Sequence, residues 1–256
     1  MTTGEPDRAQ SLVFGEVAEQ YDAARPSYPD AVFDTVMEYG ALRPSDAALE
    51  IGAGTGKATK GFVDRGLVVH ALEPSAGMAN VLRAKGVEVE EASFEEWPIR
   101  TGAFRLVFAA QAWHWVSGTD RFEKVAATLE PGGTLALFWN IGREHPEPFK
   151  TDNDAVYTRL APSLTDAIGQ RWKPEVLLGD ASACGKFEPV AAHTVTWERS
   201  YTRTEWTRLL GTHSDHRMLS EDVRAQLHAE IGAAIDDHGG TLEVTYDVQL
   251  YLLTRT

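Results

Sequence analysis

The chain has 256 residues, 43% of them hydrophobic and 24% charged, enough to bury a full core and long enough for one large domain or two small ones. A net charge of −14 argues against a nucleic-acid binder, which draws its affinity from Lys and Arg clustered on phosphates; a small-molecule partner fits better. The single cysteine, Cys184, excludes an internal disulfide and a cysteine-based zinc site and reads as a small buried hydrophobe.

No apolar run is long enough to span a bilayer, and "MTTGEPDRAQ" lacks the basic start and apolar middle of a signal peptide, so a cytoplasmic chain without a membrane partner is expected. Residues 1–10 read as a loose tail. From Ser11, the apolar set Leu12, Val13, Val17 and Tyr21 predicts a helix that must stop before Pro26 and Pro29. A second helix follows, with Pro29 in its first turn and Val32, Phe33, Val36 and Met37 on one face.

Short apolar runs then alternate with helical stretches. The runs are 47–52, 67–73, 87–92, 104–110 and 133–140; the segments near 56–65, 75–85 and 118–129 carry helical spacing, as in Phe122, Val125, Ala126 and Leu129. This alternation marks a doubly wound α/β core over 46–140, with helices on both faces of a parallel sheet. After Asn140 the strand rhythm breaks. Residues 141–185 are long for a plain connection and read as a cap or lid over a pocket. Alternating runs in "FEPVAAHTVTWERS" and "TLEVTYDVQLYLLTRT" predict an antiparallel sheet edge, with helices at 203–210 and 220–237 between them. The expected organisation is a single domain over 1–256: cap helices at 11–43, the core at 46–140, the cap insertion at 141–185, and closing strands and helices at 186–256.

The glycine loop "LEIGAGTGK" raises three readings. A phosphate-cradling loop ending at Gly56 and Lys57 needs glycine at 51 and Ser or Thr at 58, where the chain has Ile51 and Ala58. A dinucleotide fingerprint counted from Gly52 and Gly54 puts its third small residue at Lys57, and fails once. What remains is G-x-G-x-G at the end of the first core strand, where bare backbone comes close to a flat ligand. Glu73 ends the next strand, about 20 positions on, where a carboxylate can accept hydrogen bonds from both hydroxyls of a ribose. The competing reading of Glu73 is a charge that complements a helix N-terminus.

These residues resemble the class I S-adenosylmethionine-dependent methyltransferases, in particular the small-molecule branch that includes trans-aconitate methyltransferase. "LEIGAGTG" is similar to the first motif of that family, "ALEPS" to its second and "EASFEEWP" to its third. "FRLVFAAQAWHWV" and "LEPGGTLALFWN" resemble the fourth and fifth, and "YDAARPSYP" the branch's N-terminal segment. The resemblance covers about 15–140 well and is specific to cofactor and fold rather than to substrate. It implies a Rossmann-like seven-stranded sheet whose last strand, 241–254, inserts antiparallel between the fifth and sixth.

The resemblance also implies roles. The loop Gly52, Ala53, Gly54, Thr55 and Gly56 takes the methionine part of S-adenosyl-L-methionine (product S-adenosyl-L-homocysteine), with Glu50 orienting it. Glu73 binds the ribose hydroxyls, and Pro74 and Ser75 after it also border the cofactor. Met78, Ser93, Phe94 and Glu95 line or hydrogen-bond the adenine, and Ala110 and Gln111 sit beneath the cofactor. Tyr21 and Arg25 close over its carboxylate end, while Lys57 departs from the usual pattern and is read as exposed.

Methyl transfer from a sulfonium is a direct displacement in which the cofactor carries the reactivity and the protein supplies position. Orientation accounts for about 7–11 kcal/mol and a general base for about 10²–10⁴ in rate, so a base is optional. Tyr28, Trp113, His114 and Trp115 are the candidate acceptor contacts, the last three because "AWHWV" follows the fourth strand's C-terminal end, where ligands bind in open α/β sheets. His114 is the candidate base for a hydroxyl acceptor, against the reading of a histidine that only packs and hydrogen-bonds locally. "HSDH" at 213–216 has no third ligand at metal-binding spacing, and no metal is expected. "TDNDAVY" reads as a capped helix start rather than a calcium loop. The expected activity is methylation of a small acceptor, at an oxygen of a carboxylate or hydroxyl, by a monomer or homodimer. The alternatives are a noncatalytic S-adenosyl-ligand sensor and a nicotinamide-dependent oxidoreductase.

Overall fold

In the run 104–110, Leu106, Val107, Phe108 and Ala109 are all fully buried, the mark of a strand covered on both faces. The computed structural model describes residues 18–164 and 174–256. Within them β1 (Ala47–Ile51), β2 (Val68–Leu72), the short β3 (Val89–Glu90), β4 (Phe104–Ala110) and β5 (Leu129–Gly142) run parallel. β6 (Ala191–Thr202) and β7 (Thr241–Thr254) complete one seven-stranded sheet of order β3-β2-β1-β4-β5-β7-β6. β7 is antiparallel to both of its neighbours, which is the expected insertion. β5 is longer than the predicted 133–140 because Leu129 pairs with Phe104 before the register shifts to Leu106 opposite Thr134, so the Pro-Gly-Gly stretch bulges within the strand instead of preceding it.

Helices cover both faces. α1 (Ala18–Ala24) stops before Pro26 as predicted; the start of that expected helix, 11–17, lies outside the described residues. α2 (Asp30–Tyr39) and α3 (Thr59–Val63) bury Val32, Phe33, Val36 and Phe62 against Leu106, Phe108, Ala136 and Phe138 on one face. α4 (Ala76–Ala84) lies beside β3 on the same face, with Leu82 packed on Ala71. On the other face, α5 (Arg121–Thr128) buries Phe122 and Val125 with Trp97, Trp113 and Leu137.

The segment 141–185 divides in two. α6 (Phe149–Leu160) packs with α8 (Arg203–Leu210) and α10 (Glu221–Asp237) around Tyr201, Trp206 and Tyr246, at the end of the sheet where β5 stops. α7 (Pro174–Cys184) instead joins α5 on the flank through Ala181 and the Arg121–Asp180 ion pair, away from any cap. The short α9 (Ser214–Arg217) links α8 to α10. Strong local signals start the later helices: Thr202 and Glu205 form a reciprocal capping box on α8, and Ser220 caps α10. Among the described residues no helix is long and apolar enough to cross a membrane.

The sheet winds outward in two directions from β1 and β4, so their C-terminal ends form the point where the strand order reverses and a crevice opens. The glycine loop, Gln111 and the end of β5 all meet there.

Candidate functional site

β1 ends at Ile51, and the chain then turns through Gly52 (φ +69°), Gly54 (φ +56°) and Gly56 (φ +87°), a backbone region costly for residues with a Cβ. The three glycines serve different ends. A Cβ on Gly52 would stand 2.7 Å from the Cβ of Ala112, and one on Gly56 would stand 2.4 Å from Leu82 Cδ1, so both are small because protein fills the space. A Cβ on Gly54 would meet nothing within 4 Å. Of the three, only Gly54 turns bare backbone toward open space, which narrows the expectation that all three admit a ligand.

Glu73 closes this loop. Its carboxylate accepts the Gly54 N–H at 2.8 Å and the Ser75 N–H at 2.8 Å, tying the tip of β2 to the turn after β1 while leaving lone pairs on both oxygens. Burial raises its pKa, and the two backbone donors work against that shift. Glu50 lies beneath, 1% exposed, accepting the Thr59 hydroxyl at 2.5 Å. Burial, with the charge of Glu73, pushes its pKa up to about 8 despite the Thr59 bond. Two buried acids thus face a loop whose amide edge is open.

The rest of the expected adenine side is uneven. Met78, Ser93 and Phe94 are buried in the adjoining wall, but Glu95 is exposed and accepts both the N–H (2.7 Å) and the hydroxyl (3.0 Å) of Ser117. Its assignment to adenine is therefore corrected: Glu95 holds the start of the loop before α5. Ala53 is buried and donates its N–H to Leu72, and Pro74 is exposed. The buried Thr55 lends its carbonyl to Lys85.

Lys57 is not the exposed residue expected. Its ammonium donates to the Asp22 carbonyl at 2.6 Å, and Lys85 reaches the Asp22 carboxylate at 2.6 Å, so α1 is pinned across the glycine loop. Burial lowers the Lys57 pKa, partly offset by Asp22. Just past the same end of α1, Arg25 donates to the Thr212 hydroxyl (2.8 Å) and carbonyl (3.2 Å) and lies over the Tyr21 ring. Tyr28 packs edge-on against Phe33 and Phe138; burial first, then Tyr21 and Glu50, hold its pKa well above the ordinary value.

The "AWHWV" turn is a 3-10 helix, Trp113–Trp115, and its three residues part ways. Trp113 is fully buried, packed on Phe122 and Phe94 with Arg121 over its ring, so its place as an acceptor contact is corrected: it is core. His114 is exposed, with its Nδ1 accepting the Trp139 indole N–H at 3.2 Å. An indole only donates, so the neutral imidazole keeps its proton on Nε2, and the one lone pair that would take a proton is occupied. His114 presents a donor, and its role as a base is withdrawn. Trp115 is half-buried beside it.

Gln111, at φ +56°, closes β4 with its side chain on the Asn140 carbonyl at 2.9 Å. Asn140 Oδ1 accepts the Trp197 indole N–H at 3.0 Å, Trp197 stacks on Tyr246, and Tyr246 and Tyr201 share a 2.8 Å hydroxyl contact. The sequence reading missed this chain of contacts and the half-buried Arg199 above it. Its signal was there: Trp197, Arg199 and Tyr201 alternate onto one face of β6, which sets a charge between aromatics. The His213–His216 stretch folds inward, with His216 hydrogen-bonded to Tyr157 and His228 at 3.0 Å each. Among the described residues no group of three His, Cys, Asp or Glu is placed to hold a metal.

A family model described as a methyltransferase domain matches residues 48–133. An uncharacterized methyltransferase of Mycobacterium tuberculosis is 39% identical over 162 residues, 60% of this chain and 65% of the relative, so the match spans slightly under two thirds of that protein. The structure of a candidate type II methyltransferase from Anaeromyxobacter dehalogenans is 25% identical, covers 89% of this chain and 97% of its own, and superposes with a TM-score of 0.60. A Haemonchus contortus phosphoethanolamine N-methyltransferase in complex with S-adenosyl-L-methionine, 15% identical over 96% of this chain and 60% of its own, shares the fold with a TM-score of 0.57. Residues 48–133 thus match a methyltransferase domain, and the sheet built around them has the fold of the class I S-adenosylmethionine-dependent methyltransferases.

Proposed function

We propose that the chain is an S-adenosyl-L-methionine-dependent methyltransferase that transfers a methyl group to an oxygen of a small-molecule acceptor in the cell interior. The observation that carries the cofactor is the Glu73 bridge: a buried carboxylate locked by Gly54 and Ser75, at the tip of the strand next to the one open glycine. Fixed in this way, its free lone pairs are set to accept two ribose hydroxyls at no cost in side-chain ordering. Gly54 admits the methionine part, and Glu50 sits where a carboxylate balances a cationic ligand. Met78 and Phe94 form the apolar wall for the adenine, with Ser93 beside them; Tyr21, Ala110 and Gln111 border the crevice.

When bound, the cofactor supplies a methyl carbon on a cationic sulfonium, open to attack in line with the departing sulfur. The chain's own part is to bind, orient and keep water out. α1, held at its C-terminal end through Asp22 by Lys57 and Lys85 and through Arg25 by Thr212, roofs the glycine loop. Tyr28, Trp115 and the Nε2–H of His114 line the acceptor's approach. With His114 committed to Trp139, no base is required of the turn, which favours an acceptor oxygen that is already ionised.

Calorimetric titration with S-adenosyl-L-homocysteine and, separately, with a nicotinamide dinucleotide tests the assignment. Saturable binding of the first alone is expected. Binding of the dinucleotide alone would overturn it in favour of an oxidoreductase.

A further inference from the structure

Most of the arginines around the open end of the sheet are engaged by protein groups. Arg143 is paired with Asp247, Arg203 with Asp236 and Arg159 with Glu230, while Arg25 is held by Thr212. Arg199 has no hydrogen bond or ion pair among the described residues, although the chain carries 38 acidic residues against 24 basic ones. It is not loose. The guanidinium lies 4.6 Å from the centre of the Tyr201 ring, and Tyr201 is fully buried and fixed by the Tyr246 hydroxyl. Glu205 is within electrostatic reach of Arg199 but forms no ion pair with it; one oxygen of its carboxylate accepts the N–H and hydroxyl of Thr202 in the capping box.

The position of this charge is the telling part. Arg199 pairs with Val244 two residues beyond the point where Trp197 faces Tyr246 and Gly142 ends β5, so it projects past the edge of the parallel strands, over the crevice. It comes close enough to Lys57, the residue after the glycine loop, to act on it as a like charge, and it acts with Arg25 on the Tyr201 and Tyr246 hydroxyls. The same network holds a second donor without a partner: Asn140 Nδ2, buried while Oδ1 of the same amide is engaged by Trp197. A planar, half-buried guanidinium held on an aromatic face and left without a carboxylate is suited to a planar or tetrahedral oxyanion.

We infer that Arg199 receives an anionic group of the methyl acceptor, so that the acceptors are small organic anions carrying a carboxylate or phosphate. This deepens the proposed methyl transfer and rests on it. Arg199 is thereby a specificity residue: it contacts the acceptor without taking part in bond making.

The test is thermal unfolding of the full chain with excess S-adenosyl-L-homocysteine, titrated with glutarate, phenyl phosphate and, as the neutral counterpart, dimethyl glutarate. Glutarate or phenyl phosphate raises the melting temperature of the parent protein, dimethyl glutarate does not, and the anion that acts separates carboxylate from phosphate. Arg199→Gln weakens the apparent affinity for that anion at least tenfold, Arg199→Lys recovers part of it, and Arg143→Gln leaves it unchanged. The inference is overturned if neither anion shifts the melting temperature, or if the shift survives in Arg199→Gln. A failure of S-adenosyl-L-homocysteine alone to shift it points instead at the methyltransferase reading, since the anion titration run without it still reports on Arg199.

Discussion

Replacing Glu50 with glutamine changes a single heavy atom of a fully buried side chain and tests whether burial holds the carboxyl protonated in the folded chain. An ordinary glutamate titrates at 4.5, and Glu50 in the folded chain at about 8. Between those values the folded protein holds a proton that the unfolded chain has lost, so stability falls as pH rises through the window and is flat on either side of it. The slope is at most about 1.4 kcal/mol per pH unit, so by pH 7 the penalty reaches about 3 kcal/mol. Glutamine retains the carbonyl that accepts the Thr59 hydroxyl and carries no charge, so Glu50→Gln is more stable than the parent near pH 7 by up to that amount, with the gap closing toward pH 4.5. Denaturant melts of both proteins from pH 5 to 8 measure it, and their difference removes His145 and His228, whose pKa values burial lowers and whose effect runs the opposite way. A cationic ligand pulls the Glu50 pKa back down, so binding of S-adenosyl-L-methionine at pH 7 releases a proton, read from calorimetry in buffers of different ionisation enthalpy. Parallel pH curves for parent and variant would refute the reasoning.

Three further substitutions separate packing from function. Gly52→Ala forces a left-handed backbone, costing about 1–2 kcal/mol, and presses on Ala112, costing about 1–3 kcal/mol more; a loss below about 1 kcal/mol in a denaturant melt would contradict the geometry. Trp113→Ala empties a fully buried site and costs about 3–5 kcal/mol, whereas a soluble variant of parental stability with altered acceptor affinity would return Trp113 to the pocket. His114→Gln keeps a donor and leaves both limbs of the pH–rate profile in place; loss of one limb together with a fall of about 10²–10⁴ in kcat would restore the histidine as a base.

What the sequence disclosed follows the range of the forces involved. β4 at 104–110 and α8 at 203–210 match their predicted limits because a doubly buried apolar run and a Thr-x-x-Glu capping box are local signals. The glycine loop and Glu73 were legible as a pair because their spacing is set by one strand-turn-helix-strand unit. Beyond that unit the reading weakened. Lys57 reaches Asp22 across 35 residues, and Arg25 reaches Thr212 across 187. Trp113 and His114 are neighbours in a pattern that does not say which ring turns inward; only the closeness of Phe122 and Trp139 decides it. The C-terminal half of the site is assembled by β7 threading between β5 and β6. No local pattern places Arg199 opposite Lys57.

The most direct test of the central claim is calorimetric titration of S-adenosyl-L-homocysteine into the parent protein and into Gly54→Ala. The added methyl occupies the one open face of the glycine loop, at a backbone cost of about 1–2 kcal/mol that leaves the fold intact. The account predicts micromolar, saturable binding to the parent and none to a folded Gly54→Ala. Equal binding to both, or binding to neither, would contradict it.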